Sequence, residues 1–471
     1  MGQEIESSHF SNHDFNLFNS YLKEETLLLS ELLNNHKFSN NGSIVGFEIE
    51  ALLVSLSGAP VPVNKSFLNK LNNPLVVHEL AAFNVELNSN PINLKNNALS
   101  RMEAELQSTW DNCCDVAKEL SIEMMMIGIL PSLQEHQLTL ENMSKLNRYK
   151  ALNDQILNLR DGKPLKLDIN GIDSIQTAHQ SVMLESACSS LQLHLQVPCD
   201  VATQFYNASI MLSAPIIAAT ANSPFLFGCD LWNETRIPLF EQAVELGSED
   251  FRRVTFGSSY VKESMFECYQ ENLQHYPVLV PLKEEEAISQ LSHLRFHNGT
   301  IWRWNRPLIG FDQNGTPHIR IEHRVIPSGP STIDSIANAA FYYGLVHDLA
   351  ENIDILIKEL SFLEAKDNFY NCAKHGLSAM IDWPNQGNIH TSELLLHTLI
   401  PAARRGLKKL DILEEDINKY ISIIEQRIET QQNGANWQRM WVKKYGKDFH
   451  RLTRAYLDRQ NSGLPVHQWT I

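Results

Sequence analysis

Ser43-Ile-Val-Gly-Phe-Glu-Ile-Glu-Ala-Leu-Leu-Val54 reads as a β-strand, because β-branched and apolar residues run through it without a proline. The two-residue side-chain period of a strand puts Glu48 and Glu50 on one face. Two carboxylates side by side repel, so the pair needs solvent at a sheet edge, a proton, or a cation. Divalent Mg²⁺ or Mn²⁺ takes oxygen ligands and commonly binds substrate phosphates as well. The strand therefore poses a metal–nucleotide site built on a sheet against a merely solvated charged edge.

Three further segments carry charge on strand-like patterns. Around Val85-Glu-Leu87 apolar residues alternate with Glu86 and Asn88. Ser190-Leu-Gln-Leu-His-Leu-Gln-Val-Pro198 alternates without a break and places Gln192, His194 and Gln196 opposite the leucines. A lone strand histidine is ordinarily just hydrogen bonded, so His194 acquires meaning only beside the other acids. In Pro317-His-Ile-Arg-Ile-Glu-His-Arg-Val-Ile-Pro327, Arg320, Glu322 and Arg324 share a face with His318. Just upstream, Arg303 and Arg306 bring the arginines to four in a short span of an acidic protein, and guanidinium forks suit carboxylates and phosphates.

The remaining chain predicts mostly helices and loops. Segments 15–33, 98–125, 142–159 and 201–221 have helical patterning, the first as a packing helix without chemistry, and 127–131 reads as a short strand. Residues 228–281 lack clean periodicity and predict a long surface excursion, a candidate cover for a site. From Thr332 onward the pattern is helical, recurring through 356–364, 390–407 and 413–427.

At 471 residues, with 43% hydrophobic and 20% charged residues, the chain has the composition of a globular protein. A net charge of −16 argues against nucleic acid or an anionic membrane as partner. The uncharged run between Asp200 and Asp230 is broken by Pro215 and Pro224, which reads as a buried helix and not a membrane span. Seven cysteines without a CxxC spacing, and an N-terminus without a basic start and apolar stretch, predict reduced thiols and a cytoplasmic protein. The sequence has no GxxxxGK[ST], GxGxxG, HExxH or GxSxG. What remains is acids, one histidine and arginines on separate strands, a set able to hold two or three divalent ions with phosphate oxygens completing their shells.

Gly46-Phe-Glu-Ile-Glu50, Val85-Glu-Leu87, Gln192-Leu-His194, Asn222-Ser-Pro224, Thr235-Arg236, Arg306-Pro307 and Glu322-His-Arg324 occur in an order that resembles the glutamate–cysteine ligase type 2 and carboxylate–amine ligase family. The resemblance implies an α+β fold: a curved, mainly antiparallel sheet of glutamine synthetase-like type, packed by helices, with a helical C-terminal part. It divides the chain into an N-terminal helix (1–40), a catalytic domain (41–335) and a helical region (336–471). It also implies an ATP-dependent ligase in which a carboxylate, with glutamate as the expected one, is phosphorylated and then captured by an amine. The resemblance implies Glu48, Glu50, Glu86, His194 and Glu322 as ligands of Mg²⁺ or Mn²⁺. Arg324 corresponds to the phosphate-contacting arginine, Arg236 and Arg306 to substrate or phosphate clamps, and Arg320 and Arg303 join the nucleotide side. Glu79 stays outside the set because its spacing to Glu86 does not match cleanly. Gln192 stands where the family strand has a histidine, which leaves the amine open. The expected partners are small-molecule acid and amine substrates and ATP, with a homo-oligomer allowed. A phosphagen-kinase-like phosphotransferase and an inactive nucleotide-binding member stand as alternatives.

Overall fold

In a computed structural model, residues 4–247, 252–282 and 287–471 are described. The strands in chain order are β1 (Ile44–Ser55), β2 (Val76–His78), β3 (Asn84–Asn88), β4 (Ile92–Asn93) and β5 (Ile122–Met125). They continue with β6 (Leu165–Asn170), β7 (Ser174–His179), β8 (Ser190–Val197), β9 (Phe225–Leu226) and β10 (Cys229–Asp230). The last are β11 (Val254–Thr255), β12 (Trp302–Arg303), β13 (Asn305–Phe311), β14 (Pro317–Pro327), β15 (Met380–Trp383) and β16 (Gly387–His390). One eight-stranded antiparallel sheet dominates, in the order β13-β14-β8-β1-β3-β2, with β4 and β5 also paired to β1. This is the expected α+β class with a curved, mainly antiparallel sheet.

The sheet's two faces follow from the alternation. Val45, Phe47 and Ile49 of β1 and Leu191, Leu193 and Leu195 of β8 are all buried. The helices Ala202–Thr220 and Thr332–Leu349 pack on that apolar side, where Tyr342 stacks on His323 at 4.2 Å. The opposite face carries the charged set, so burying the apolar rows fixes which side chains are left to line a cavity. Behind the sheet, Thr332–Leu349 crosses the helix Ile400–Lys409 at two glycines. A Cβ on Gly406 would lie 1.8 Å from the Gly344 carbonyl oxygen, so neither helix could approach this closely with a larger residue.

Several expectations need correction. The helix expected over 98–125 is Ala98–Glu119. The chain then reverses at Ser121, with φ 57°, into β5, which pairs with β1. The strand is therefore Ile122–Met125, and 127–131 is not one. Segment 356–364 divides into the helices Ile353–Glu359 and Phe362–His375, because Ser361 and Glu364 form a capping box that starts the second. The π turn Leu395–Leu399 interrupts the helical segment 390–407. The hairpins β6–β7 and β15–β16 were not anticipated.

Residues 228–281, of which 248–251 lie outside the described residues, are not a surface excursion. The helix Arg236–Ala243 is largely buried, and β11 pairs in parallel with β12. Arg236 and Arg253 are 2% and 1% exposed. Both guanidiniums are buried because backbone carbonyls receive them, as when Arg253 Nη1 donates to the Thr300 oxygen at 2.9 Å. Among the described residues no helix is long and apolar enough to cross a membrane.

Candidate active site

Register brings the acids together. Across β14, β8 and β1, Glu322 lies opposite His194, and His194 opposite Gly46. One step along, Gln192 faces Glu48, and on the next strand Glu50 faces Glu86. These side chains line a cavity of about 560 Å³ together with Glu79, Glu185, Arg148, Arg295, Arg320 and Arg324. Two groups of ligand atoms each lie within 4.8 Å of one another: Glu48 with His194 and Glu322, and Glu50 with Glu79 and Glu86. All five acids and histidines singled out in the sequence therefore share one space, and Glu79, set aside there, joins them. Glu185 was missed altogether. Its only sequence signal is a single acid in the apolar run Val182-Met-Leu-Glu-Ser-Ala187.

The arginines are used unequally. Arg306 Nε and Nη2 grip Glu322 at 2.8 and 3.0 Å, and Arg306 Nη1 donates to the Gly299 carbonyl at 3.1 Å. Arg324 adds a contact to Glu322 at 3.1 Å and donates to Gln192 Oε1. Gln192 in turn donates to Glu50 Oε1 at 3.1 Å, so its amide ties Arg324 to Glu50. Arg320 lines both this cavity and a second one of about 660 Å³, and its buried Nε has no hydrogen-bond partner. The second cavity also takes Ile44, Val45, Phe47 and Phe311.

Two arginines fall short of the expected roles. Arg303 turns away from the cavity: its Nη2 lies 3.4 Å from Glu271 and its guanidinium sits over Tyr276. Arg236 reaches only a recess of about 40 Å³ beside Glu50. It is occupied by Glu234 at 3.1 Å and by the carbonyls of Arg324 and Val325, so it braces the end of β14. Among the described residues of 228–281, none lines either of the two cavities, and only Arg236 and Phe240 reach the recess.

Burial and mutual repulsion set the protonation of the acids. Burial would raise Glu322, but Arg306, then Arg324 and His194, hold it well below the usual carboxylate range. Burial likewise opposes ionisation of Glu48, and His194, whose Nε2 is 3.2 Å from Glu48 Oε1, outweighs it and lowers the group. The other cluster behaves oppositely. Burial and Glu79 push Glu50 up to about 7, and burial with Glu48, Glu79 and Glu50 raises Glu86 well above its ordinary value. Burial, then Glu79 and Glu50, push Glu185 up to about 8.

The donor set fits a hard divalent cation. It consists of carboxylate oxygens and one imidazole, the ligand types of Mg²⁺ and Mn²⁺. His194 is buried and turns Nε2 toward two carboxylates, 3.2 Å from Glu48 Oε1 and 3.9 Å from Glu322 Oε1, the position a cation shared by the three would occupy. Glu48, His194 and Glu322 could hold one ion, and Glu50, Glu79 and Glu86 another.

The raised acids have a measurable consequence in chelator. In the folded state Glu50 and Glu185 retain protons that the unfolded chain, with carboxyls near 4.5, releases. Stability then falls as pH rises until both groups have ionised. Buried His297, His323 and His347, lowered to about 4, 3 and 4, act in the opposite direction below the ordinary histidine value of 6.5. The clean window is therefore about 6.5 to 8, where urea midpoints should decline with rising pH. Glu185→Gln should flatten that decline; a midpoint that climbs through the window in chelator would contradict the assignment.

Comparison with known proteins places this geometry. The sequence model of "Glutamate-cysteine ligase family 2" matches residues 44–457. No curated protein sequence matches the chain. Among solved structures, the glutamate–cysteine ligase from Francisella tularensis in complex with AMP is similar with a TM-score of 0.51 and 12% identity, over 90% of each chain. A bifunctional glutathione synthetase from Pasteurella multocida has a TM-score of 0.48 and 10% identity, over 93% of this chain and 55% of that one. At such identities the first likeness speaks for the fold alone, a curled antiparallel sheet packed by helices.

Proposed function

The chain belongs to glutamate–cysteine ligase family 2, and from that premise we propose that this ATP-dependent carboxylate–amine ligase activates a glutamate side chain or a similar carboxylate as an acyl phosphate before an amine captures it. The observation that carries this reading is the convergence of two ligand clusters, Glu48/His194/Glu322 and Glu50/Glu79/Glu86, in one cavity beside Arg320 and Arg324. Mg²⁺ or Mn²⁺ held there would neutralise charge on the phosphate oxygens, the main demand of phosphoryl transfer.

The chain's own residues have separate tasks. Arg306 keeps Glu322 ionised and fixed, so the carboxylate needs little reorganisation to take up a cation. Arg320, at the wall common to both cavities, and Arg324 provide guanidinium donors for phosphate or substrate carboxylate oxygens. Gln192 orients Glu50 and Arg324 toward one another. Glu79 and Glu185 place carboxyl oxygens in the cavity wall, acceptors for an amine that arrives as an ammonium ion. The division into a helix at 1–40, a catalytic part at 41–335 and a helical part at 336–471 remains the working proposal. Its second boundary falls inside the helix Thr332–Leu349.

The test is product identity. The protein is incubated with Mg²⁺·ATP, glutamate and a pool of amino acids and simple amines, and products are read by mass spectrometry. An amide, with ADP and phosphate released only when both acid and amine are present, is expected, and Glu50→Gln should abolish it. A phosphorylated guanidine in place of an amide would instead favour the phosphotransferase. Mg²⁺ and ATP together should raise Tm more than either alone, because ions and phosphates share one site. Equal stabilisation by ATP in chelator would remove the shared-ion premise.

A further inference from the structure

We propose that the N-terminal helix Asn12–Asn34 is a working part of the site, with Glu25 as a positioning residue that caps the cavity-wall helix Ser292–Gly299 and so holds Arg306 and Glu322 in place. This helix lies outside the family-matched span 44–457, and its sequence pattern gives only a packing role.

Ser292–Gly299 begins badly by itself. The residue before it, Leu291, is left-handed at φ 51° and supplies no side-chain cap. The third amide of the helix, that of Leu294, donates instead to Glu25 Oε2 at 2.7 Å, a carboxylate from a different helix. Glu25 Oε1 lies 2.8 Å from His293 Nδ1, and Glu25 is fully buried. Tyr21 stacks on the His293 ring at 4.6 Å, and Phe18 meets it edge-on at 5.1 Å. A carboxylate at a helix N-terminus satisfies an orphan donor and complements the helix dipole. Here both effects arrive from 270 or so residues away in the chain, as separations of 268 and 269 show.

The other end of the same helix reaches the chemistry. Gly299 presents its carbonyl to Arg306 Nη1 at 3.1 Å, and Asn298 Nδ2 donates to the Pro307 carbonyl at 2.8 Å. Arg295, Asn298 and Gly299 line the cavity that holds the acids. A continuous series of contacts thus runs from Glu25 through one two-turn helix to Arg306 and on to Glu322. Loss of the cap should loosen the helix, release one of the three hydrogen bonds that fix Arg306, and weaken the cation–phosphate seat without touching it.

The experiment uses the full chain as wild type, Glu25→Gln, Glu25→Ala and His293→Phe. Hydrogen exchange without ligand compares 292–299 with the buried helix Ala202–Thr220. Glu25→Ala should speed exchange in 292–299 by about tenfold or more and leave Ala202–Thr220 unchanged. Glu25→Gln keeps an acceptor for the Leu294 amide and should stay within about twofold of wild type. The same order should appear in binding of a non-hydrolysable ATP analogue with Mg²⁺ and in KM for ATP, both weakened about tenfold in Glu25→Ala with a smaller change in kcat. Unchanged exchange in 292–299, exchange raised equally in both segments, or a Gln variant no better than Ala each overturns the proposal. If Glu25→Ala does not fold, His293→Phe, which keeps the ring stacking and removes one Glu25 contact, decides in its place by the same comparison. The nucleotide measurements rest on the functional reading above: a wild type that fails to bind the analogue defeats that reading, while the exchange result still decides the role of Glu25.

Discussion

Glu86→Gln should make the chain more stable in chelator and leave the enzyme nearly inactive. Glu86 lies directly opposite Glu50 in the β1–β3 ladder, and burial together with Glu48, Glu79 and Glu50 raises it well above an ordinary carboxyl. An amide of the same shape is neutral without having to take up a proton, and it retains an acceptor for Asn88, whose Nδ2 donates to Glu86 Oε1 at 3.2 Å. The wild-type chain must bind a proton or hold a buried charge there, and the amide does neither, so the variant's urea midpoint at neutral pH should lie above that of wild type. On the proposed ligand role the same change lowers kcat/KM by about 10³ or more, roughly 4 kcal/mol of transition-state stabilisation. Opposite signs in one variant separate a strained ligand site from an ordinary structural acid, which would lose stability and keep activity. A Glu86→Gln enzyme with wild-type turnover would remove Glu86 from the ligand set.

The part of this site that the sequence made legible is the part built on period two. Glu48 and Glu50, Gln192 and His194, and Arg320, Glu322 and Arg324 lie two apart on strands whose other faces are apolar, so their common side follows from alternation alone. Glu79 was not recoverable that way. It follows the three-residue strand β2 and comes to Glu86 through a chain reversal, so sequence spacing carries no information about their proximity. Glu185 belongs to a short 3₁₀ segment with no face to read.

Arg303 and Arg236 escaped the sequence for a different reason. Arg303 and Arg306 are three apart, on either side of the break between β12 and β13, and only Arg306 faces Glu322. Arg236 and Arg253 look like surface residues in a sequence without periodicity, because the carbonyls that accept their protons come from distant segments. Buried arginine is paid for by partners that no local pattern reveals. The same limit hid the trans cap at Glu25, whose acceptor role depends on a helix nearly the whole sheet away in sequence.

Arg306→Met is expected to be the most destabilising single change at the site. Arg306 and Glu322 are 4% and 2% exposed and joined by two hydrogen bonds, so removing the guanidinium leaves a buried carboxylate with Arg324 as its remaining charged clamp. Breaking a buried pair from one side costs about 3–5 kcal/mol, because the surviving charge loses its compensation while keeping its desolvation. Glu322→Gln breaks the pair from the other side. The double variant should therefore cost less than the sum of the singles, by about 1–3 kcal/mol, in a urea cycle run in chelator. The acid limb supplies an independent check of the sign. A carboxyl held below its unfolded value of 4.5 stabilises the fold above that pH, and this stability is lost as pH falls. Without Arg306 the depression of Glu322 shrinks, so the variant should be weaker at neutral pH yet lose less on acidification than wild type does. Additive singles together with an unchanged acid limb would mean that the clamp contributes shape and little charge. Turnover decides between those accounts for the reaction itself: if a fixed, ionised Glu322 is what receives the cation, Arg306→Lys, which keeps charge but not the fork, should restore neutral-pH stability better than it restores kcat/KM.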